Sequence, residues 1–412
     1  MKRVLGAVAA VVLLIIGLAF VATPAGAAVD TVTAVPSPNN GVGLLNQLND
    51  TACTSPTNCV AVGLWDTGVS NETLIEVWNG SAWSIVPGPS VIGSQGNVLN
   101  SVSCVSSNFC VAVGDFSNGS SLQTLAIQWN GTAWTVMPSP NTSALLVNTL
   151  TSVSCVSSSF CVAVGYYDNG ADLQPLALTW NGSSWTSTPV PVPGSIHPSR
   201  FSEVSCSSQS MCFAVGSYTV GPDDFTLTEM WNNSIWAIVS SPNIPFGSNN
   251  SNYLNGVSCV SSLFCQAVGT YYDGSTDQPL LISWNGLAWS TVSGPSMGAS
   301  FDHSAVEIAC LSATFCVSTG FYDDAGIYQP FVMSWNGTSW SILNSDAVNP
   351  GMDTRLLGVS CVSPYLCMAV GSFDDGNSRL TQAATITGVE PPAPNVDPVA
   401  PVDPPVAPTF AG

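Results

Sequence analysis

Fourteen cysteines stand in this 412-residue chain as seven pairs, each with five residues between partners: Cys53/Cys59, Cys104/Cys110, Cys155/Cys161, Cys206/Cys212, Cys259/Cys265, Cys310/Cys316 and Cys361/Cys367. Successive first cysteines are 51, 51, 51, 53, 51 and 51 residues apart. A fixed period of that size marks one supersecondary unit copied and stacked. It overrides the ordinary inference from length, which would be two or three separate domains.

The third copy shows the unit. Leu150-Thr-Ser-Val-Ser-Cys155 is a short β-branched run, and five turn-like residues lead to a second, Cys161-Val-Ala-Val-Gly165-Tyr-Tyr. A polar turn, Asp168-Asn169-Gly170, precedes Pro175-Leu-Ala-Leu-Thr-Trp180, and Asn181-Gly182 reverses the chain into Trp185-Thr-Ser-Thr. Asn-Gly between β-type runs is a strong hairpin signal, because both residues tolerate positive φ. Four short strands in about 50 residues, copied seven times, predict an all-β, seven-bladed β-propeller of four-stranded antiparallel blades. Immunoglobulin-like units need about 100 residues each, and a parallel β-helix uses shorter coils without repeated hairpins.

The seventh copy ends after Thr381-Gln-Ala-Ala-Thr-Ile-Thr387 and lacks the Trp-Asn-Gly-x-x-Trp hairpin. Val32-Thr-Ala-Val-Pro36-Ser-Pro-Asn39 matches the fourth strand of the second copy, Trp134-Thr-Val-Met-Pro138-Ser-Pro-Asn141. The N-terminal strand is therefore expected to complete the last blade and close the ring.

The ends set the expected compartment. Residues 1–27 read as a cleaved signal peptide: Lys2-Arg3, an apolar core from Val4 to Ala22, and Ala25-Gly26-Ala27 after Pro24. Residues 28–390 form the propeller. Residues 391–412 carry eight prolines and read as an extended tail that could space the domain from a cell wall. In an exported chain, cysteines paired at fixed spacing read as one hairpin disulfide per blade. The expected location is secreted or extracellular, with cell-wall association through the tail, and no membrane contact after signal cleavage.

Two motifs carry a resemblance: Ser-Cys-x5-Cys-x-Ala-Val-Gly, as at Ser154 to Gly165, and Trp-Asn-Gly-x-x-Trp, as at Trp180 to Trp185. The repeats resemble those of secreted bacterial seven-bladed propellers, broadly the kelch/galactose-oxidase and Asp-box (sialidase-type) groups. Kelch repeats carry a Gly-Gly doublet where these have single glycines such as Gly114, Gly165 and Gly269. Asp-boxes put an acid two residues before the glycine, where these place Asn directly before it. The resemblance implies architecture, and a function must come from a site.

Charge is scarce. Only 7% of residues are charged, and after the leader three arginines face 25 acids. Nothing can supply the cationic contacts of a nucleic-acid binder. Asp50, Glu203 and Glu307 share one register, three before the first cysteine, near the channel mouth. With His197 and His303 they are the candidate catalytic residues of a glycoside hydrolase or lyase. Arg200, Arg355, His197 and His303 are placed in inter-blade connections, and Arg379 in the turn after the second strand of blade seven. Arg200, Arg355, Arg379, Trp65, Tyr166, Tyr167, Tyr253, Tyr271, Tyr272 and Tyr322 are the candidate ligand-binding residues of the loop-bearing face. Trp65 is the expected exposed aromatic, whereas the six Trp-x4-Trp pairs are expected to pack between blades. The turn acids Asp66, Asp115, Asp168, Asp273, Asp323-Asp324 and Asp374-Asp375 offer oxygens to calcium, but no twelve-residue calcium loop occurs, so the expectation is no cofactor and no metal. The leading reading is a binding or scaffold module for an extracellular glycan or protein. The alternative is a carbohydrate-active enzyme, favoured if two carboxyls lie about 5–10 Å apart in one pocket.

Overall fold

The computed structural model describes residues 29–41, 44–91, 93–194, 198–245, 251–295, 301–343, 345 and 348–388. The expected leader, the proline-rich tail and His197 lie outside the described residues. Among the described residues there are 28 strands and no helix, arranged as seven four-stranded antiparallel sheets. No helix there is long and apolar enough to cross a membrane. The inner strands contact one another in cyclic order, the last against the first, so the sheets stand as blades around a central channel.

Blade three shows how the sequence builds the unit. Its strands, from channel to rim, are Asn148–Ser157, Phe160–Asp168, Leu173–Trp180 and Trp185–Ser187. Cys155 pairs with Cys161, Cys161 with Trp180, and Trp180 with Trp185, one row across all four strands.

All seven disulfides join the expected partners: Cys53–Cys59, Cys104–Cys110, Cys155–Cys161, Cys206–Cys212, Cys259–Cys265, Cys310–Cys316 and Cys361–Cys367. Their Cα atoms are 3.9–4.1 Å apart. Each bond closes a short loop, worth about 2 kcal/mol in the chain-entropy account. The spacing alone suggests staples at the hairpin turn, but the two halves of each bond differ. The second cysteines, Cys59, Cys110, Cys161, Cys212, Cys265, Cys316 and Cys367, are core residues with 0–3% exposure. They sit in the middle of the sheet, where the second strand faces a neighbouring blade, so none of them belongs to a ligand-facing surface. Most of the first cysteines are only partly buried. The disulfides are thus part of the apolar packing, and seven of them belong to an oxidising environment.

Seven apolar clusters fill the seams, each drawn from two neighbouring blades. Between blades three and four, Val162, Val164 and Ala177 meet Phe201, Cys212, Trp231 and Trp236. The paired indoles lie with centroids 5.7–5.8 Å apart and tilted by 43–51°. The first of each pair donates its N–H to a backbone carbonyl 22 residues earlier, at 3.0–3.1 Å. The first tryptophans thus combine large apolar burial with a satisfied polar edge, whereas the buried indole N–H groups of Trp83, Trp185, Trp236, Trp289 and Trp340 have no hydrogen-bond partner among the described residues.

The hairpin between them differs from the sequence expectation. Gly182 has φ +93°, but Asn181 has no positive φ. Its Oδ1 instead accepts the N–H groups of Ser183 and Ser184, both at 3.0 Å. Asn therefore caps the turn through its side chain, and the residue after it supplies the left-handed conformation, glycine in five hairpins and Asn233 (φ 77°) in blade four.

Every inner strand carries a bulge, in blade three between Leu150 and Ser152. The second strand's glycine lies against it: a Cβ on Gly165 would sit 2.0 Å from the Thr149 carbonyl oxygen, and its six counterparts would meet a carbonyl at 1.9–2.1 Å. That close approach fixes the single glycine of the Ala-Val-Gly motif.

The ring closes as expected. The N-terminal strand Val29–Val35 pairs with the third strand of blade seven, Arg379–Gly388. Val32 stands opposite Ile386, and Ile386 opposite Cys367, so two aliphatics fill the positions of a tryptophan pair. Removing residues 29–40 strips the cover from Ile386, which is fully buried, and should lower the melting temperature of the whole ring. Val32→Asp should do the same at full length. An unchanged calorimetric melting curve for both variants would contradict closure by this strand.

Candidate functional site

The bulge decides what lines the channel. It breaks the alternation of the inner strand, so two consecutive residues per blade reach the lumen, among them Asn49 with Asp50 and Ser202 with Glu203. In four blades the first of the two donates to the next blade's backbone: Asn49 to the Leu99 carbonyl at 2.8 Å, Asn100 to Leu150 at 2.8 Å, Thr151 to Phe201 at 3.1 Å and Asn255 to Ala305 at 2.9 Å. In blades one to four the second accepts from the next blade. Asp50 takes the Val102 N–H and the Ser101 hydroxyl, each at 2.8 Å, Ser101 takes the Val153 N–H at 3.2 Å, and Glu203 takes the Val257 N–H. One level further, Ser103, Ser154, Ser205, Ser258 and Ser360 accept the first-cysteine N–H of the neighbouring blade at 2.9–3.0 Å.

The three acids of the shared register converge at the channel's waist. Glu203 and Glu307 are hydrogen-bonded to each other across blade five, where the register holds Gly256; a Cβ there would lie 3.1 Å from a Glu203 carboxylate oxygen. Burial raises Glu307 to about 8, with the charge of Asp50 adding to it. Burial first, then the charge of Glu307, holds Glu203 well above its ordinary value. Burial raises Asp50 to about 6, opposed by its bonds from Val102, Ser101 and Thr51. At neutral pH the glutamate pair therefore retains a proton, which is what binds it together. Asp50, Ser101, Glu203 and Glu307 border both a cavity of about 370 Å³ towards the loop-bearing face and one of about 270 Å³ towards the cysteine turns.

From the upper cavity a cleft runs outward over blades four to six. A space of about 250 Å³ shares Ser202, Asn255 and Ser304 with the channel and is also lined by Arg200, Ser217, Tyr253, Thr270 and Asp277. Arg200, Ser217 and Tyr253 also wall a second space of about 260 Å³ with Leu173, Thr219 and Asp224. The Tyr253 hydroxyl donates to Asp224, which also accepts from Thr219 at 2.6 Å, so the phenol is fixed. Arg200 is exposed and has no ion pair among the described residues. Burial, then the charges of Asp302 and Asp273, raises the pKa of Asp277 above its ordinary value.

The remaining sequence candidates fall elsewhere. Arg200, Arg355 and His303 lie in the inner strands Ser199–Ser208, Asp353–Ser363 and His303–Ser312, not in the connections. Arg355 is 3.5 Å from Asp353 and lies over Tyr328 and Phe321 at 4.0 and 5.4 Å. Arg379 begins the third strand of blade seven opposite Asp374. Arg200 alone reaches the cleft, so no arginine cluster forms. His303 is 2% exposed and stacks on Tyr322 at 5.5 Å, and its burial lowers its pKa. It takes the register of Asn46, Asn97, Asn148 and Asn252, all fully buried. Trp65 packs on the blade-one core with only part of its surface open, contrary to the expected exposed aromatic. Tyr167, Tyr271 and Tyr322 pack on their blade cores, while Tyr166 and Tyr272 are half-buried. The turn acids Asp66, Asp168 and Asp374 accept the glycine N–H two residues on, at 2.7–2.8 Å. Among the described residues no group of three or more His, Cys, Asp or Glu is placed to hold a metal ion.

Sequence reasoning missed Asp224 and Asp277 in the cleft and two acids in the seams. Glu76 and Glu229 are fully buried, and burial raises both to about 8, Glu76 against a bond from Ser37. Neither Glu229 oxygen has a hydrogen-bond partner among the described residues. The linkage has one sign. Unfolded, these acids ionise near their ordinary value of 4.5, whereas folded they keep the proton to about 8, so unfolding releases protons between those limits. Stability should be highest at or below pH 4.5 and fall as pH rises towards 8. Melting temperatures across that range test this, and Glu229→Gln should raise the value at pH 8 more than at pH 4.5. A melting temperature that rises with pH would overturn it.

No protein-family model and no curated protein matches the chain. Solved structures match by fold. YCF48 bound to D1 peptide aligns at 12% identity and TM-score 0.53, covering 88% of this chain and 99% of that one. A GH74 xyloglucanase from Xanthomonas campestris aligns at 12% and 0.49, over 84% of this chain and 54% of its own. A Trypanosoma rangeli sialidase in complex with sialic acid aligns at 10% and 0.46, over 85% and 60%. At such identities the likeness is one of architecture, and the chain is a seven-bladed, disulfide-stapled β-propeller.

Proposed function

We propose that this propeller is an extracellular binding module that takes a polar segment of a glycan or protein into the cleft over blades four to six. One observation carries the reading: two adjoining spaces share Arg200, Ser217 and Tyr253, and one of them opens into the channel cavity. The cleft supplies hydroxyls, an amide, an aromatic edge and an open guanidinium, the convergent polar groups of a ligand site. The expected leader and tail accord with a secreted or wall-associated module, and the reading needs no cofactor.

Catalysis by the channel carboxylates fits less well. A retaining pair stands about 5–5.5 Å apart and an inverting pair about 6.5–9.5 Å. Glu203 and Glu307 are in hydrogen-bond contact, and Glu203 and Asp50 hold neighbouring blades through Val257 and Val102. The neighbours include enzymes acting on sugars and a peptide-bound protein, so the shared architecture does not choose between them.

The test is a binding screen of glycans and peptides on immobilised protein, with parallel assays for released reducing ends and unsaturated products. Arg200→Ala and Tyr253→Ala should each weaken a captured ligand about tenfold, about 1.4 kcal/mol, with no turnover by the parent. Product release that disappears in Glu203→Gln would replace this reading with the enzymatic one.

A further inference from the structure

The cleft has two electrostatic ends. At one, the Arg200 guanidinium is exposed and without an ion pair among the described residues, in a chain where two other arginines are described. Of those two, Arg355 is engaged by Asp353, Tyr328 and Phe321, and Arg379 faces Asp374 across its strand pair. At the other end, Asp277 borders the same space of about 250 Å³, and its backbone N–H is held by Asp302 at 2.8 Å. Asp273 and Asp302 stand behind it and add negative charge. Arg200 and Asp277 do not meet within ion-pair distance. They are fixed on different blades, and Ser202, Ser217, Tyr253, Asn255, Thr270 and Ser304 line the space around them.

Opposite charges that wall one small cavity without forming an ion pair favour a guest that carries both charges in the reverse order. A guanidinium takes a carboxylate through paired hydrogen bonds, and a carboxylate takes an ammonium. A neutral saccharide satisfies neither end, and a uronate meets the acidic end with like charge, which costs binding. The space is of the size an amino acid or a short peptide end fills.

Resting on the binding-module reading above, we propose that the cleft of blades four to six binds a zwitterionic, peptide-like ligand, its carboxylate on Arg200 and its ammonium on Asp277. Ser217, opposite Arg200 in its strand pair, lines the space with the fixed Tyr253, opposite Thr270, and Thr270 and Ser304 are 3.2 Å apart and hydrogen-bonded to each other.

The experiment is calorimetric titration of the full chain with trialanine, N-acetyl-trialanine, trialanine amide, a neutral maltooligosaccharide and a galacturonate oligomer. Trialanine should bind about tenfold more tightly than either blocked form, one charge-assisted contact being removed in each. Arg200→Ala should erase discrimination against the amide and keep that against the acetylated form. Asp277→Asn should do the reverse, and melting curves should show both variants folded. Equal binding of trialanine and its blocked forms would overturn the proposal. Binding of either saccharide but not trialanine, lost in Arg200→Ala, would overturn it while leaving the binding-module reading standing. Failure of every probe to bind would count against both.

Discussion

The structure depends on how each inner strand's free edge is satisfied. A blade has four strands, and the edge at the channel presents N–H and C=O groups with no fifth strand to pair them. The neighbouring blade supplies the partners from side chains: asparagine amides reach its carbonyls, and serine hydroxyls and acids take its N–H groups. The arrangement works only as a circle. Ser360 of blade seven accepts the Cys53 N–H of blade one at 3.0 Å, so the belt runs from the last blade to the first only when the last blade is whole, and that blade needs the N-terminal strand. The bulge and its glycine are preconditions, because without the break in alternation the second belt would face a seam.

What was legible in the sequence was what is large or covalent. Cysteine pairs and tryptophan pairs recur at one period and occupy one row across the blade, and the exception in blade seven was readable through Val32 and Pro36. Pairing by spacing could not tell the two cysteines of a bond apart. Their burial differs because the first lies on the inner strand towards the channel, while the second, as at Cys161, stands beside a tryptophan in the middle of the sheet. The belts were not legible. Serine and asparagine are abundant in loops as well as here, and a two-residue period cannot predict that Asn49 and Asp50 both face the lumen. The apolar run suggests inner strands that start at Leu150 in blade three, whereas pairing begins at Asn148. That shift is why Arg200, Arg355 and His303 read as connections when they are strand residues. Asn148 explains the extension: its amide donates to the Ser143 and Leu146 carbonyls at 3.0 and 2.9 Å and ties the incoming connection to the strand. His303 occupies that register in blade six, which makes a rare histidine a packing residue.

Scarcity of charge takes a narrower meaning from the fold. Burial keeps protons on several of the acids, Glu76 and Glu229 in the seams and the glutamate pair in the channel, which holds one between its two members. One carboxylate pair sharing a proton closes the gap that Gly256 leaves in the second belt, where blade five has no side chain to offer. The acids that most resembled catalytic groups in the sequence are therefore bound into ring closure.

This division directs function to the register above the belts. Six residues before the first cysteine the chain carries Gln47, Val98, Thr149, Arg200, Tyr253, Ser304 and Arg355, a different residue in nearly every blade. The serines one residue before the cysteine recur in five of the seven copies, because there each side chain must meet the next blade's backbone. The upper register carries no such duty, so its members can differ without opening the ring. Blades four to six place arginine, tyrosine and serine there in succession, beside Asp224 and Asp277. That is where a seven-fold frame becomes asymmetric, and asymmetry is what a site needs in order to distinguish one ligand orientation from another.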